Sequence, residues 1–148
     1  DPAKVYEEDD KIFVTGYGAN YDNPWGVYDP ATGKYTQLGN ASAVGVGDDV
    51  IYCANSVTDW STYATTTTLY SYDVKRGAED KTFFKNAPSE LATSSVYSIS
   101  VNPYDGRIYV ATSDYATDGK VYVFNAQGNY EREFSSCGIN PHKIVFLK

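Results

Sequence analysis

The chain has no methionine, one histidine, two cysteines and no cluster of basic residues. Each shortage removes a class of protein. The lone His142 excludes a histidine-cluster metal site and leaves a catalytic triad a single base to use. Cys53 and Cys137 make neither a disulfide framework nor a C-x-x-C pair for zinc or redox chemistry. Cys53 reads as a small buried hydrophobe, while a Cys53–Cys137 bridge stays open because sequence carries no geometry to test it. The densest basic stretch is Lys75-Arg76 and the formal net charge is −7, which opposes binding to nucleic acid. No apolar run approaches membrane-spanning length. The first residue is Asp1 rather than an initiator methionine, which points to a mature or trimmed product.

What is present is strand-forming. The 148 residues are 42% hydrophobic, with 15 tyrosines, and are rich in Val, Ile, Thr and Ser. That length suits one globular core and is short for two. The hexamer Asp9-Asp10-Lys11-Ile12-Phe13-Val14 recurs as Asp48-Asp49-Val50-Ile51-Tyr52-Cys53 and as Asp105-Gly106-Arg107-Ile108-Tyr109-Val110. Each copy has a downstream companion of aromatic, Asp or Asn, then Gly: Tyr28-Asp29 with Gly33, Tyr72-Asp73 with Gly77, and Phe124-Asn125 with Gly128. Turn chemistry followed by period-two alternation argues for hairpins.

Each repeat resolves into four strand-like pieces, with units at about 4–38, 43–85 and 98–135. The first two units carry fourth strands at 34–38 and 82–85, and residues 88–94 are expected to form one helical turn. Tandem four-stranded antiparallel units of this size are the signature of β-propeller blades, favoured over an antiparallel sandwich by the matching residues in three copies. The expected fold is therefore all-β, a partial propeller forming a single domain over 1–148. It has about three blades plus one extra strand at 143–147. Propellers close with at least about four blades, and an open arc leaves sheet edges unpaired. The expected partner is a missing N-terminal half of the propeller or a second copy of the chain.

The stretch Gly119-Lys120-Val121-Tyr122-Val123-Phe124-Asn125-Ala126-Gln127-Gly128, then Phe134, then Gly138-Ile139-Asn140-Pro141-His142-Lys143-Ile144-Val145-Phe146, resembles the C-terminal end of the YncE-like propellers of Bacteroidetes. These are often labelled DUF5074 or surface-layer proteins. Val27-Tyr28-Asp29-Pro30-Ala31-Thr32-Gly33 is similar to that family's blade motif. The resemblance implies a seven-bladed lipoprotein on the outer membrane surface. It further implies capture of a corrinoid such as vitamin B12 for a TonB-dependent transporter, at the level of fold rather than of particular residues. The lipid-attachment cysteine of such a protein is not in this sequence.

Function on such a scaffold is expected on its longer loops. The connections 16–25, 55–67 and 113–119 differ between copies and hold both tryptophans. They supply the expected ligand-binding set: Tyr17, Tyr21, Asp22, Trp25, Asp59, Trp60, Tyr63, Asp114 and Tyr115. Aromatic rings beside carboxylates suit a flat, hydroxyl- or amide-bearing ligand, a glycan or a corrinoid; the alternative is that the rings pack between blades. No catalytic residue and no resident metal or cofactor is expected. Ser135-Ser136-Cys137-Gly138 is not a nucleophile elbow, and Asp114 with Asp118-Gly119 lacks calcium-loop spacing, leaving only adventitious Ca²⁺ open. The alternatives are an envelope protein-interaction module and a propeller-type lyase or lactonase.

Overall fold

The computed structural model describes residues 2–148 and contains twelve strands in three four-stranded antiparallel sheets. The first blade is β1 (Pro2–Glu8), β2 (Lys11–Gly16), β3 (Pro24–Asp29) and β4 (Lys34–Asn40). The second is β5 (Ala43–Gly47), β6 (Val50–Asp59), β7 (Ala64–Asp73) and β8 (Ala78–Asp80). The third is β9 (Val96–Val101), β10 (Ile108–Thr112), β11 (Lys120–Phe124) and β12 (Tyr130–Ser135). Strands lie in sequence order in every sheet.

The repeated turns explain themselves locally. Asp9, Asp10, Asp48 and Asp49 all have φ between 49° and 60°, as both central residues of a two-residue type I′ hairpin require. Asp is among the few side chains that tolerate this region. The third copy differs, with a longer turn closed by Gly106 N–H on the Asn102 carbonyl at 2.9 Å. In the companion motif, Asp29 Oδ1 accepts from the Ala31 amide at 2.9 Å, Asp73 Oδ1 from Arg76 at 2.8 Å, and Asn125 Oδ1 from Gln127 at 3.0 Å. The glycines that follow, Gly33, Gly77 and Gly128, supply the left-handed backbone.

The blades share one register. Val5 opposes Val14, Val44 opposes Cys53, and Ile99 opposes Val110. Alternation then assigns the faces. Phe13 and Trp25 of the first blade meet Ile51, Cys53 and Tyr70 of the second. Tyr52 and Ala54 on the opposite face of the second meet Ile108, Val110, Tyr122 and Phe124 of the third. Inner strands β5 and β9 approach closely: a Cβ on Gly45 would lie 2.6 Å from Ile99 Cγ2.

Three expectations are corrected. The fourth strand of the second blade is Ala78–Asp80 rather than 82–85. The turn at Gly77 sends the chain straight back along β7, and Phe83 and Phe84 are drawn inward instead, with ring centroids 5.3 Å from Tyr52 and 5.0 Å from Phe124 respectively. Residues 55–67 are not a loop. β6 and β7 stay paired out to Asp59 opposite Ala64, through hydroxyl pairs Ser56–Thr67 at 2.7 Å and Thr58–Thr65 at 2.9 Å. Among the described residues, 143–147 form no ladder: the Ile144 amide donates to Ser100 Oγ at 3.4 Å and the Phe146 ring lies 5.3 Å from Tyr109, so the segment meets the side chains of the third blade instead of its backbone. The helical turn expected at 88–94 is present as a 3₁₀ turn, Ser89–Thr93, with Leu91 buried in the second interface.

Candidate functional site

The connections between second and third strands share one end of the molecule with the blade-to-blade connections. The Ala41 amide donates to the Asn23 carbonyl at 2.8 Å, Ser113 to Ser95 at 3.0 Å, and Gly119 to Gly138 at 3.0 Å. Ser56 stitches the end together: its amide donates to Ser42 Oγ at 2.9 Å, and its own Oγ accepts from the Val96 amide at 3.0 Å.

Three tyrosines at this end, Tyr21, Tyr63 and Tyr115, one per blade, occupy the left-handed region at φ 59°, 57° and 64°. Left-handed backbone is uncommon for an aromatic residue and marks positions that the surrounding turn over-determines. Tyr21 is 89% exposed and Tyr63 77%, and Trp60 beside it is 69% exposed. Among the described residues these three side chains enter no ring–ring contact. Tyr17 is also exposed.

The carboxylates expected to face a ligand serve the loops instead. Asp59 Oδ1 accepts from the Ser61 amide at 2.8 Å and from Ser61 Oγ at 2.6 Å. Asp114 Oδ1 accepts from the amides of Ala116 and Thr117 at 2.9 and 2.8 Å, and its Oδ2 from Thr117 Oγ at 2.6 Å. Those bonds, the Thr117 hydroxyl first, hold the Asp114 carboxyl down to about 2. The Ser61 bonds likewise lower Asp59. The signal overlooked in the sequence is the pair Asp59-Trp60-Ser61-Thr62 and Asp114-Tyr115-Ala116-Thr117, an acid–aromatic–small–threonine turn that presents one ring. Asp22 is half-buried under the first loop, where a Cβ on Gly18 would fall 1.8 Å from its Oδ1.

Trp25 leaves the site altogether. It is 1% exposed, stacks 6.3 Å from Phe13, and donates from Nε1 to Tyr70 at 2.8 Å. Its strand position directs the ring between blades, so it is core. Tyr115 stands edge-on to Tyr97 at 5.9 Å, and Tyr97 edge-on to His142 at 6.1 Å, forming an aromatic group that the loop residues alone did not reveal. Cys53 is buried with its thiol pushed up by burial, and Cys137 is exposed; both are free.

Between the β6–β7 hairpin, the 3₁₀ turn and the third loop lies a polar cleft of about 320 Å³, lined by Thr65, Glu90, Ser94, Asp114, Asp118 and Lys120. Glu90 Oε1 accepts from Lys120 Nζ at 2.6 Å and from the Tyr122 hydroxyl at 2.7 Å. Lys120 and then Tyr122 lower the Glu90 carboxyl, while burial and then Glu90 raise the Tyr122 phenol. The pair is therefore a fixed acceptor and donor at neutral pH. Among the described residues no group of three His, Cys, Asp or Glu could hold a metal ion, and no helix is long and apolar enough to cross a membrane.

Three in-register antiparallel blades packed face to face are the architecture of a β-propeller. No family model matches the sequence, and no curated protein does. Among solved structures, the β-propeller domain of the Trilobed protease from Pyrococcus furiosus, which has an open velcro topology, is similar with a TM-score of 0.58 at 11% identity. The match covers 91% of this chain and 42% of that one, so the chain spans less than half of the structure it resembles. At that identity the likeness shows the fold.

Proposed function

We propose that the chain is part of a non-enzymatic binding propeller of the bacterial cell surface. Its loop face captures a hydroxyl-bearing small ligand, a glycan or a corrinoid, for a TonB-dependent outer-membrane transporter. The carrying observation is the exposure of Tyr21, Trp60 and Tyr63 on backbone fixed by tight turns. Rigid rings present stacking area at low entropic cost, and the Ser, Thr and Glu90 groups of the neighbouring cleft offer orienting hydrogen bonds. The corrinoid, the surface location and the transporter rest on the resemblance to YncE-like propellers.

With Trp25 buried and Trp60 exposed, fluorescence isolates the site. A panel of oligosaccharides and cyanocobalamin is titrated into the protein by calorimetry and by tryptophan emission. A bound ligand quenches or shifts the Trp60 component, and Trp60→Phe abolishes the response. Absence of heat and of any spectral change across the panel sinks the reading.

A protein-interaction role is the second reading, favoured by the β6–β7 hairpin, which carries exposed Val57, Trp60 and Tyr63 toward its tip. Aromatic anchors of that kind serve as hot spots. An envelope partner retained without small ligand, and lost in Trp60→Ala, supports it.

A further inference from the structure

The outer strand of the second blade stops early. β8 covers β7 only from Ser71 to Asp73, whereas β4 and β12 run on to the far ends of β3 and β11. Aligned on Tyr28-Asp29, Tyr72-Asp73 and Phe124-Asn125, Leu69 corresponds to Trp25 and Val121. Trp25 opposes Gly39 of β4 and Val121 opposes Phe134 of β12. Among the described residues no outer strand opposes Leu69. Asp80 ends β8 locally: its Oδ1 accepts from the Thr82 amide at 2.8 Å and from Thr82 Oγ1 at 2.7 Å, and the chain turns away.

Ladder parity fixes which backbone groups this leaves open. The Val74 amide donates to the Asp49 carbonyl at 2.9 Å, and the β6–β7 register runs unshifted to Asp59 opposite Ala64. The backbone groups of Tyr70, Thr68 and Thr66 therefore bond to β6, and those of Leu69, Thr67 and Thr65 point outward. Among the described residues no hydrogen bond reaches these outward amides. Beside Leu69 and Thr67 lies a groove of about 290 Å³, lined further by Phe84, Ala87, Pro88 and Leu91, with no charged side chain on its walls. Its far wall is anchored to the third blade, where the Lys85 amide donates to the Gly128 carbonyl at 2.8 Å and the Tyr130 amide to the Lys85 carbonyl at 3.0 Å.

We propose that this edge and groove form a peptide-binding site, in which an uncharged extended segment of a partner protein adds to β7 as its outer strand. Backbone groups left open along a strand edge are matched by another backbone, not by an alkyl chain or a sugar. A residue placed opposite Leu69 shares its side of the sheet, so its side chain enters the groove against Phe84 and Leu91. The third blade supplies the template, since Phe134 holds that place opposite Val121. A volume below the ~300–1,000 Å³ of pockets that take whole small molecules suits one large apolar side chain. The outer strands of a second copy, β4 and β12, would set Lys34 or Glu131-Arg132-Glu133 against uncharged walls, and burying unpaired charges is costly. The site shares no side chain with the loop-face reading and does not depend on it.

The probe is the capped peptide acetyl-Thr-Phe-Thr-Val-Thr-amide, titrated into the full chain to millimolar concentration while amide shifts and hydrogen exchange are followed by NMR. The Leu69 and Thr67 amides are expected to shift and to exchange at least roughly tenfold more slowly, while exchange at Thr68 and Thr66, already bonded to β6, stays unchanged. Replacing the peptide's Phe by Glu is expected to weaken binding at least roughly tenfold, and replacing it by Leu much less. Ala87→Glu, at an exposed position on the groove wall, should weaken binding of the Phe peptide, whereas Trp60→Ala should leave it unchanged. Unaltered Leu69 and Thr67 amides throughout the titration, equal binding of the Glu peptide, or loss of binding in Trp60→Ala each overturns the site. Protection of those amides that grows with protein concentration before peptide is added, with dimers by light scattering, assigns the edge to a second copy and overturns it too.

Discussion

The indole N–H of Trp25 in the first blade donates to the Tyr70 hydroxyl of the second at 2.8 Å, and that hydroxyl donates onward to the Asn40 carbonyl at 2.9 Å. One oxygen thus satisfies a buried side chain and a strand end across the blade interface. Tyr70→Phe keeps the ring and leaves both partners unpaired, at a cost of about 1–3 kcal/mol. Denaturant titration should show a lower midpoint with an unchanged slope.

Close approach of β5 to β9 makes Gly45 a steric test. Gly45→Val drives a side chain into Ile99 and its carbonyl, and overpacking of this kind costs about 1–3 kcal/mol. Gly138→Ala meets nothing within 4 Å and should change stability by less than about 0.5 kcal/mol. Equal thermal midpoints for the two variants would refute the interface described here.

The two cysteines should behave oppositely. Cys53 is fully buried with a raised thiol pKa, whereas Cys137 is exposed. A maleimide reagent is expected to add once per native chain, at Cys137, and twice after denaturation, as read by mass spectrometry.

Asp114 sets a pH limit for the third loop. Its folded pKa of about 2 lies below the ~3.9 of a free aspartate, so its stabilising contribution is full above the unfolded value and is lost as pH falls through about 2. The amide shifts of Ala116 and Thr117 should therefore titrate near that value. A transition near ~4 would show that the turn is not bonded in solution.

The parts of the fold legible in the sequence are those governed by neighbouring residues. Asp9-Asp10 and Asp48-Asp49 announce type I′ turns because the left-handed requirement falls on those residues themselves. Trp25 misleads because its burial is decided 45 residues away, by Tyr70. Phe83 and Phe84 read as a strand yet are claimed by Tyr52 and Phe124 of two different blades. Residues 55–67 read as a loop because Thr and Ser hide a ladder that is held by hydroxyl pairs instead of apolar contacts. Of the candidate site, the exposed rings of Tyr17, Tyr21, Trp60, Tyr63 and Tyr115 were visible in the chain, but Glu90, Tyr97 and Tyr122 come to it from other elements.

The unbroken pairing of β6 with β7 makes that hairpin an adjustable mast. Adding or removing one residue pair would shift Trp60 by ~3.4 Å and swing it to the opposite side, while two pairs would move it ~7 Å and restore its heading. Because the ten pairs continue without a bulge from Val50 opposite Asp73 to Asp59 opposite Ala64, such changes of reach leave the buried half of the blade untouched.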